Sequence, residues 1–306
     1  MKPLLSKNDF ARRIGIPRER LEAIAADVRP HYRQWPLRDK KNPAKVRQVR
    51  SPLPELKQIQ RLIIEHVLSS FALSPRVHGG VRGRSTRSNA EQHLGQPCVA
   101  TLDVREFYQH VRHSIVYRMF RTELGVGRDV ARLLTRLTTY LDELPRGAPT
   151  SLAVANLLLK VPVDQPLSVE AKRLSVTPTR FVDDIAISGK DPRPLINNVA
   201  KMLSSRRLPM YRAKAKVQSK SKLRITPNCR PQEITGLLVN RSGGPSVSRE
   251  RRDRVRAAIC GLQKLAGAER ERALESIHGR IQYIGQFNPG TAKRLERYLR
   301  SKLSAH

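Results

Sequence analysis

TRFVDDIAIS, Thr179 to Ser188, sets two adjacent aspartates, Asp183 and Asp184, between two short runs of strand-forming residues. Thr179, Phe181 and Val182 on one side, and Ile185 and Ile187 on the other, favour extended backbone, so the carboxylates are expected at or near the tip of a β-hairpin. A two-residue hairpin turn favours Asn-Gly or Asp-Gly, because both central residues take positive φ, and Asp-Asp is a poor fit. Standing alone, the pair reads as a solvated turn. The rest of the chain decides whether it is something more.

Upstream, CVATLDVREFYQHV (98–111) reads as a buried strand running into polar and aromatic residues. Asp103 follows Val99, Ala100 and Leu102, where an unpaired carboxylate is costly unless a cation or an arginine meets it. Between the two aspartate sites lies LPRGAPTSLAVANLLLK (144–160), a Pro/Gly turn followed by a helix whose body is small and apolar. A strand and a hairpin can bring Asp103, Asp183 and Asp184 together in one sheet. Clustered carboxylates raise one another's pKa. Mg²⁺ takes oxygen ligands from one or two carboxylates and completes its shell with water and substrate phosphates.

The charge of the chain fits a phosphate-rich partner. Lys plus Arg number 59 against 26 Asp plus Glu, a formal charge of +33 spread from end to end. Such a field repels itself unless a polyanion neutralises it, and nucleic acid is the expected one. A membrane is excluded as the polyanion, since no apolar run approaches a spanning length and no basic amphipathic tail stands apart. Cys98, Cys229 and Cys260 match neither a zinc finger nor a disulfide framework, and the N-terminus lacks a signal-peptide core; a cytoplasmic protein is expected.

Periodicity and punctuation place the remaining elements. Residues 8–27 read as one or two helices divided at Pro17, 29–54 as extended basic structure and 55–71 as a helix. VHGGVRGRSTRSNAEQH (77–93) interleaves glycine and arginine before a helix that starts near Ser88 or Asn89; it reads either as a phosphate-contacting loop or as an ordinary surface loop. Two helical stretches follow in 114–142. Another covers 192–205, and a basic segment runs from Arg206 to Arg224. PQEITGLLVNRSGGPSVS (231–248) reads as a hairpin turning at Gly243-Gly244. Basic amphipathic helices fill 249–302, broken near Gly267 and at Asn288-Pro289-Gly290.

Together these motifs carry a resemblance. FVDDIAIS resembles the Y-x-D-D hairpin of reverse transcriptases, with Phe181 for tyrosine. LDVREFY resembles that family's first aspartate motif, and LPRGAPTSLAVANLLL its G-x-P-T-S-P-x-L-A-N-L motif, with Arg146 for a usual glutamine and Leu152 for a usual proline. N-A-x-x-H at Asn89 to His93 and the ITG of QEITGLLVN resemble elements of bacterial retron reverse transcriptases. The resemblance spans roughly residues 40 to 300.

It implies an α+β right-hand polymerase: N-terminal helices and fingers over 1–98, a palm of antiparallel sheet packed on helices over 99–240, and a primer-grip hairpin with a helical thumb over 241–306. Asp103, Asp183 and Asp184 would be catalytic and, with the Val104 carbonyl, would hold two Mg²⁺ ions, with Mn²⁺ as a substitute. Tyr108 would lie under the incoming sugar and exclude a 2′-hydroxyl. Lys45, Arg47 and Arg50 would hold the triphosphate of the dNTP, Arg146 and Gly147 would flank the nucleotide, Ser151 would meet template or sugar, and Lys214 would assist phosphate release. Asn89 and His93 would recognise structured RNA. The implied function is RNA-directed copying of part of a structured noncoding RNA into a short RNA-linked cDNA, in antiphage defence and with an effector protein as a further partner. Another bacterial reverse transcriptase (diversity-generating, group II intron-like or defence-associated) and a non-catalytic RNA-binding scaffold on the same fold stand as alternatives.

Overall fold

The computed structural model describes residues 4–38, 46–104, 106–205, 208 and 223–304. Lys45 and Lys214 lie outside them. The Ser6 hydroxyl accepts from the Asp9 amide, and Gly15 at φ +68° ends the first helix, so α1 runs Lys7–Ile14 and α2, after Pro17, Arg18–Ala26. The basic stretch that follows pairs with itself as an antiparallel hairpin, β1 Tyr32–Arg38 against β2 Val46–Pro52. Most of its side chains stay exposed, as expected of a strand pair with no apolar alternation. α3, Pro54–His66, buries Leu56, Ile59 and Ile63 on the face their spacing implies. α4, Thr86–Glu91, begins at Ser85, where Ser85 and Ser88 cap each other reciprocally.

The central sheet contains β3 (Cys98–Asp103), β4 (Thr177–Phe181), β5 (Asp184–Gly189) and β6 (Arg224–Pro227) in the order β4-β5-β3-β6, all neighbours antiparallel. Between β3 and β4 run α5 (Phe107–His110), α6 (His113–Arg118), α7 (Arg128–Thr138), α8 (Thr150–Leu159) and α9 (Gln165–Arg173). α10, Arg193–Ser204, follows β5.

Residues on alternate sides of a strand face opposite surfaces, and here both surfaces are covered. Ala100, Leu102, Ile185 and Ile187 join a large core that also takes in the N-terminal helices, α7 and α8. Val99 and Ala186 join a second core formed with Ala90, Ile234, Leu237 and the C-terminal helices. Those helices are α11 (Arg249–Gly261), α12 (Gly267–Gly285) and α13 (Pro289–Ser304), divided where glycine and proline were expected to break them.

The ITG segment differs from its sequence expectation. β7 (Glu233–Ile234) and β8 (Leu237–Leu238) turn tightly on Thr235 and Gly236, at φ +48° and +84°. Leu238 then exchanges backbone hydrogen bonds with Ser246, so Gly243-Gly244 sits in a second, wider turn beyond the first. Threonine with positive φ carries no turn signal, which is why the tight turn is hidden in the sequence. Among the described residues no helix is long and apolar enough to cross a membrane.

Candidate active site

Phe181 pairs with Asp184 across β4 and β5, so the turn residues are Val182 and Asp183 rather than the two aspartates. Val182 takes φ +60°. A β-branched residue there is a true outlier, costing about 1–3 kcal/mol, and it persists only if its surroundings over-determine it.

Two contacts do so. Gly79 lies directly beneath the turn: a Cβ on it would sit 2.7 Å from the Val182 amide nitrogen and 2.9 Å from the Phe181 carbonyl carbon. From the other side Arg180, only 1% exposed, donates from Nη1 to the Val182 carbonyl at 2.8 Å. The same guanidinium donates to Asn156 Oδ1 at 2.8 Å and forks onto Asp164, Nε to Oδ1 at 2.7 Å and Nη2 to Oδ2 at 2.6 Å. Asn156 Nδ2 closes the circuit on the Gly79 carbonyl at 2.7 Å. Gly79→Ala is therefore expected to push the turn out of place and lower the rate of any reaction run at these carboxylates about 10²-fold, the usual cost of misplacing a reacting group by about 1 Å. Single-turnover rates measured alongside melting temperature check this.

The turn presents Asp183 to a cleft of about 540 Å³ that is also lined by Asp103, Val104, Asp184, Tyr108, Arg47, Arg50 and Arg146. Asp103 sits directly opposite Asp184 in the β3–β5 register. Loss of solvation, then the charge of Asp183, pushes Asp184 up to about 6. Desolvation raises Asp183 as well, although a backbone hydrogen bond, Arg146, Arg180 and Arg47 pull the other way. Both carboxylates are thus penalised chiefly by loss of water, a cost that a cation bound beside them would offset.

A divalent cation fits that donor set. Among the described residues no three His, Cys, Asp or Glu side chains close into a protein-only cage. An open carboxylate edge, completed by water and phosphate oxygens, is the way Mg²⁺ is ordinarily held. Asp103, Asp183 and Asp184 would hold it, with the Val104 carbonyl beside them.

The opposite wall is cationic and aromatic. Tyr108 packs edge-on against Phe107, ring centroids 5.6 Å apart, and the Arg146 guanidinium lies 5.3 Å above its ring. Burial, then the charge of Asp183, pushes Tyr108 up to about 12, so its hydroxyl stays protonated. Arg47 and Arg146 both reach the cleft.

The other expected nucleotide contacts play supporting parts. The Arg50 side chain faces the cleft, but its guanidinium is bonded to the Glu143 carboxylate and lies 5.0 Å from the Tyr140 ring centre. The Arg50 amide donates to the Arg146 carbonyl at 2.7 Å. Gly147 stands behind the wall at φ +109°, where a Cβ would press on the Arg50 carbonyl at 3.0 Å. Ser151 is buried and donates to the Pro145 carbonyl at 2.6 Å, so its hydroxyl is directed at its own loop rather than at template or sugar. These three set the shape of the arginine-bearing loop.

Asn89 and His93 require a correction. Both lie in the interior, at 1% and 0% exposure, and neither side chain is available to RNA in this structure. His93 bonds Ser188 Oγ at 2.6 Å and Thr179 Oγ1 at 2.7 Å, one ring nitrogen donating and the other accepting, and so ties β4 to β5 behind the aspartate turn. Burial foremost, with smaller contributions from His78 and Arg76, pushes His93 down from 6.5 to about 3. The folded pKa lies below the unfolded one, so the stabilisation is full above about pH 6.5 and drains away as pH falls toward 3. The melting temperature is expected to drop between pH 7.5 and 5, and to drop less in His93→Gln.

A β-hairpin that offers paired aspartates to a third on the central strand, facing a cationic wall, is the arrangement that the resemblance to reverse transcriptases implies. The chain belongs to the reverse transcriptase (RNA-dependent DNA polymerase) family, whose model matches residues 39–230. Its curated relatives point to the bacterial retron branch. It is 31% identical over 273 residues to the Retron Mx65 reverse transcriptase of Myxococcus xanthus, covering 82% of this chain and 61% of that protein. It is 29% identical over 319 residues to the Retron Mx162 reverse transcriptase of the same organism (94% and 65%), and 26% identical over 294 residues to the Retron Ec86 reverse transcriptase of Escherichia coli (96% and 87%). The chain thus spans less than two thirds of the length of the first two relatives.

Proposed function

We propose that this chain is an RNA-directed DNA polymerase of the retron type, which extends a hydroxyl of a structured RNA with dNTPs and leaves a short DNA joined to that RNA. The observation that carries the reading is the meeting of Asp103, Asp183 and Asp184 in one cleft with Tyr108, Arg47 and Arg146. Bound Mg²⁺ would supply Lewis-acid stabilisation for the attacking and departing oxygens, with Mn²⁺ as a substitute. The protein's part is placement. The carboxylates anchor the metal edge, the Gly79–Arg180 clamp fixes Asp183, and the two arginines offer planar donors to a triphosphate. Gly147 lets β2 close down on that wall, since a Cβ there would press on the Arg50 carbonyl and the Val49 side chain.

Tyr108, held rigid between Phe107 and Arg146, is the surface against which a sugar would rest. Tyr108→Ala is expected to raise incorporation of ribonucleotides relative to deoxynucleotides by about 10–100-fold, the range a single steric contact supplies. Competition between rNTP and dNTP on one RNA template reads it directly. The RNA-linked product is tested by recovering nucleic acid with the protein expressed beside its own locus. The proposal requires DNA that stays covalently attached to a residual RNA after RNase treatment; free linear RNA alone would refute the retron assignment.

A further inference from the structure

Leu141 and Asp142 form a two-residue turn between Tyr140 and Glu143, whose backbones exchange hydrogen bonds at 2.9 and 3.0 Å. Both turn residues take positive φ, +44° and +64°, where asparagine or glycine is usual. Leu141 is 58% exposed, so burial does not offset the strain. Strained backbone of this kind persists where its surroundings fix it, and it gathers at functional sites. Here the Arg112 guanidinium and the His113 amide donate to the Asp142 carboxylate, at 3.3 and 3.0 Å.

The turn delivers Glu143, whose carboxylate is bonded to the Arg50 guanidinium. On the other side of the turn, the Tyr140 ring lies under the same guanidinium and its hydroxyl accepts from Gln34 Nε2 at 2.7 Å. Gln34 and Arg50 are direct partners in the β1–β2 register, so one turn grips both strands of the hairpin.

A grip is needed at this place. Arg47 stands on β2 and Arg146 on the loop that follows Glu143, and both line the cleft. Like charges facing one cleft repel when no phosphate lies between them. Burial foremost, then the charge of Arg47, pushes Arg146 down, and Glu143 is among the groups that oppose this. We infer that Glu143 is a positioning residue for the nucleotide: through Arg50 it latches the β1–β2 hairpin to the 140–147 loop and so holds Arg47 and Arg146 where both reach one triphosphate. This rests on the dNTP-binding part of the proposed function.

The test separates binding from chemistry. Affinity for the next templated dNTP is measured on the full chain with a primed RNA whose primer ends in a dideoxynucleotide, and single-turnover extension is followed with an ordinary primer. Glu143→Gln keeps the shape and removes the charge. It is expected to raise the dNTP dissociation constant about tenfold, within the range of coupled charge pairs. The maximum rate should change by less than about twofold, the pattern left when uniform binding is lost. Affinity for the primed RNA should not move. Arg50→Met should act alike, and the double variant should be no worse than either single one, because both remove the same contact. Tyr140→Phe keeps the ring under Arg50 and loses only the Gln34 bond; it should raise the constant about threefold, with the melting temperature near that of the parent. Unchanged or tighter dNTP binding in Glu143→Gln, additive effects of Glu143→Gln and Arg50→Met, or a joint fall in maximum rate and melting temperature would overturn the inference. A parent that extends primers while Glu143→Gln binds dNTP equally well refutes the latch alone. A parent that binds the templated dNTP without extending refutes the polymerase reading alone, and one that binds no dNTP refutes both.

Discussion

Asp183→Asn is expected to abolish RNA-templated DNA synthesis, by about 10³-fold or more, while leaving RNA binding and folding intact. The turn places this carboxylate in the cleft opposite the arginine wall, and a neutral amide there removes both the charge and an anionic oxygen that a hard cation requires. The fold should not suffer. Asp183 and Asp184 are both raised above the ordinary aspartate value, so each costs the metal-free protein stability as pH rises through its folded pKa, about 6 for Asp184. Removing one charge relieves the other, so the melting temperature at pH 7.5 in chelator should be unchanged or higher. Primer extension, filter binding and thermal melting on the same preparation separate the three outcomes. Loss of RNA binding together with activity would mean that Asp183 supports structure rather than chemistry.

The second large effect concerns Arg180, which touches no solvent and would touch no substrate. Breaking a buried ion pair by removing one partner costs about 3–5 kcal/mol, because the other charge is left desolvated. Arg180→Met or Asp164→Leu alone should therefore destabilise the chain by roughly that amount in denaturant unfolding. Replacing both with apolar side chains is often close to neutral, so the double variant should recover most of the loss. It should not recover activity. The Val182 carbonyl has still lost its donor, the strained turn is free to relax, and the extension rate should stay about 10²-fold down. A double variant that regains both stability and rate would show that the network only fills space.

These residues also show where sequence reading succeeds and where it stops. The three carboxylates were legible because charge in an apolar strand context is costly and asks for a reason, and because ordered motifs surround it. The helices at α1 to α3 and α11 to α13 were legible from period and from Gly and Pro punctuation. Arg180 sits inside the quoted stretch itself, yet nothing in the one-dimensional string says that its partner is Asp164, at the end of a π-helical segment, Lys160–Asp164. Gly79 looked like loop composition, and only the 2.7 Å approach to Val182 shows why it must lack a side chain there. Asn89, His93 and Ser151 were matched by motif, but a motif gives a position in sequence and not the direction of a side chain. All three point inward. The carboxylates do lie at or near the hairpin tip, but that Val182 is one of the two turn residues was hidden, because positive φ is not expected of valine and Gly79 and Arg180 hold it there.

The most direct test of the account is incorporation of labelled deoxynucleotide by the purified chain on a primed RNA of known sequence, with Mg²⁺. The account predicts DNA complementary to the template and joined to the primer, made only when divalent metal is present and lost in Asp183→Asn. No incorporation with either Mg²⁺ or Mn²⁺ on any primed RNA, or synthesis that persists in Asp183→Asn, would contradict it.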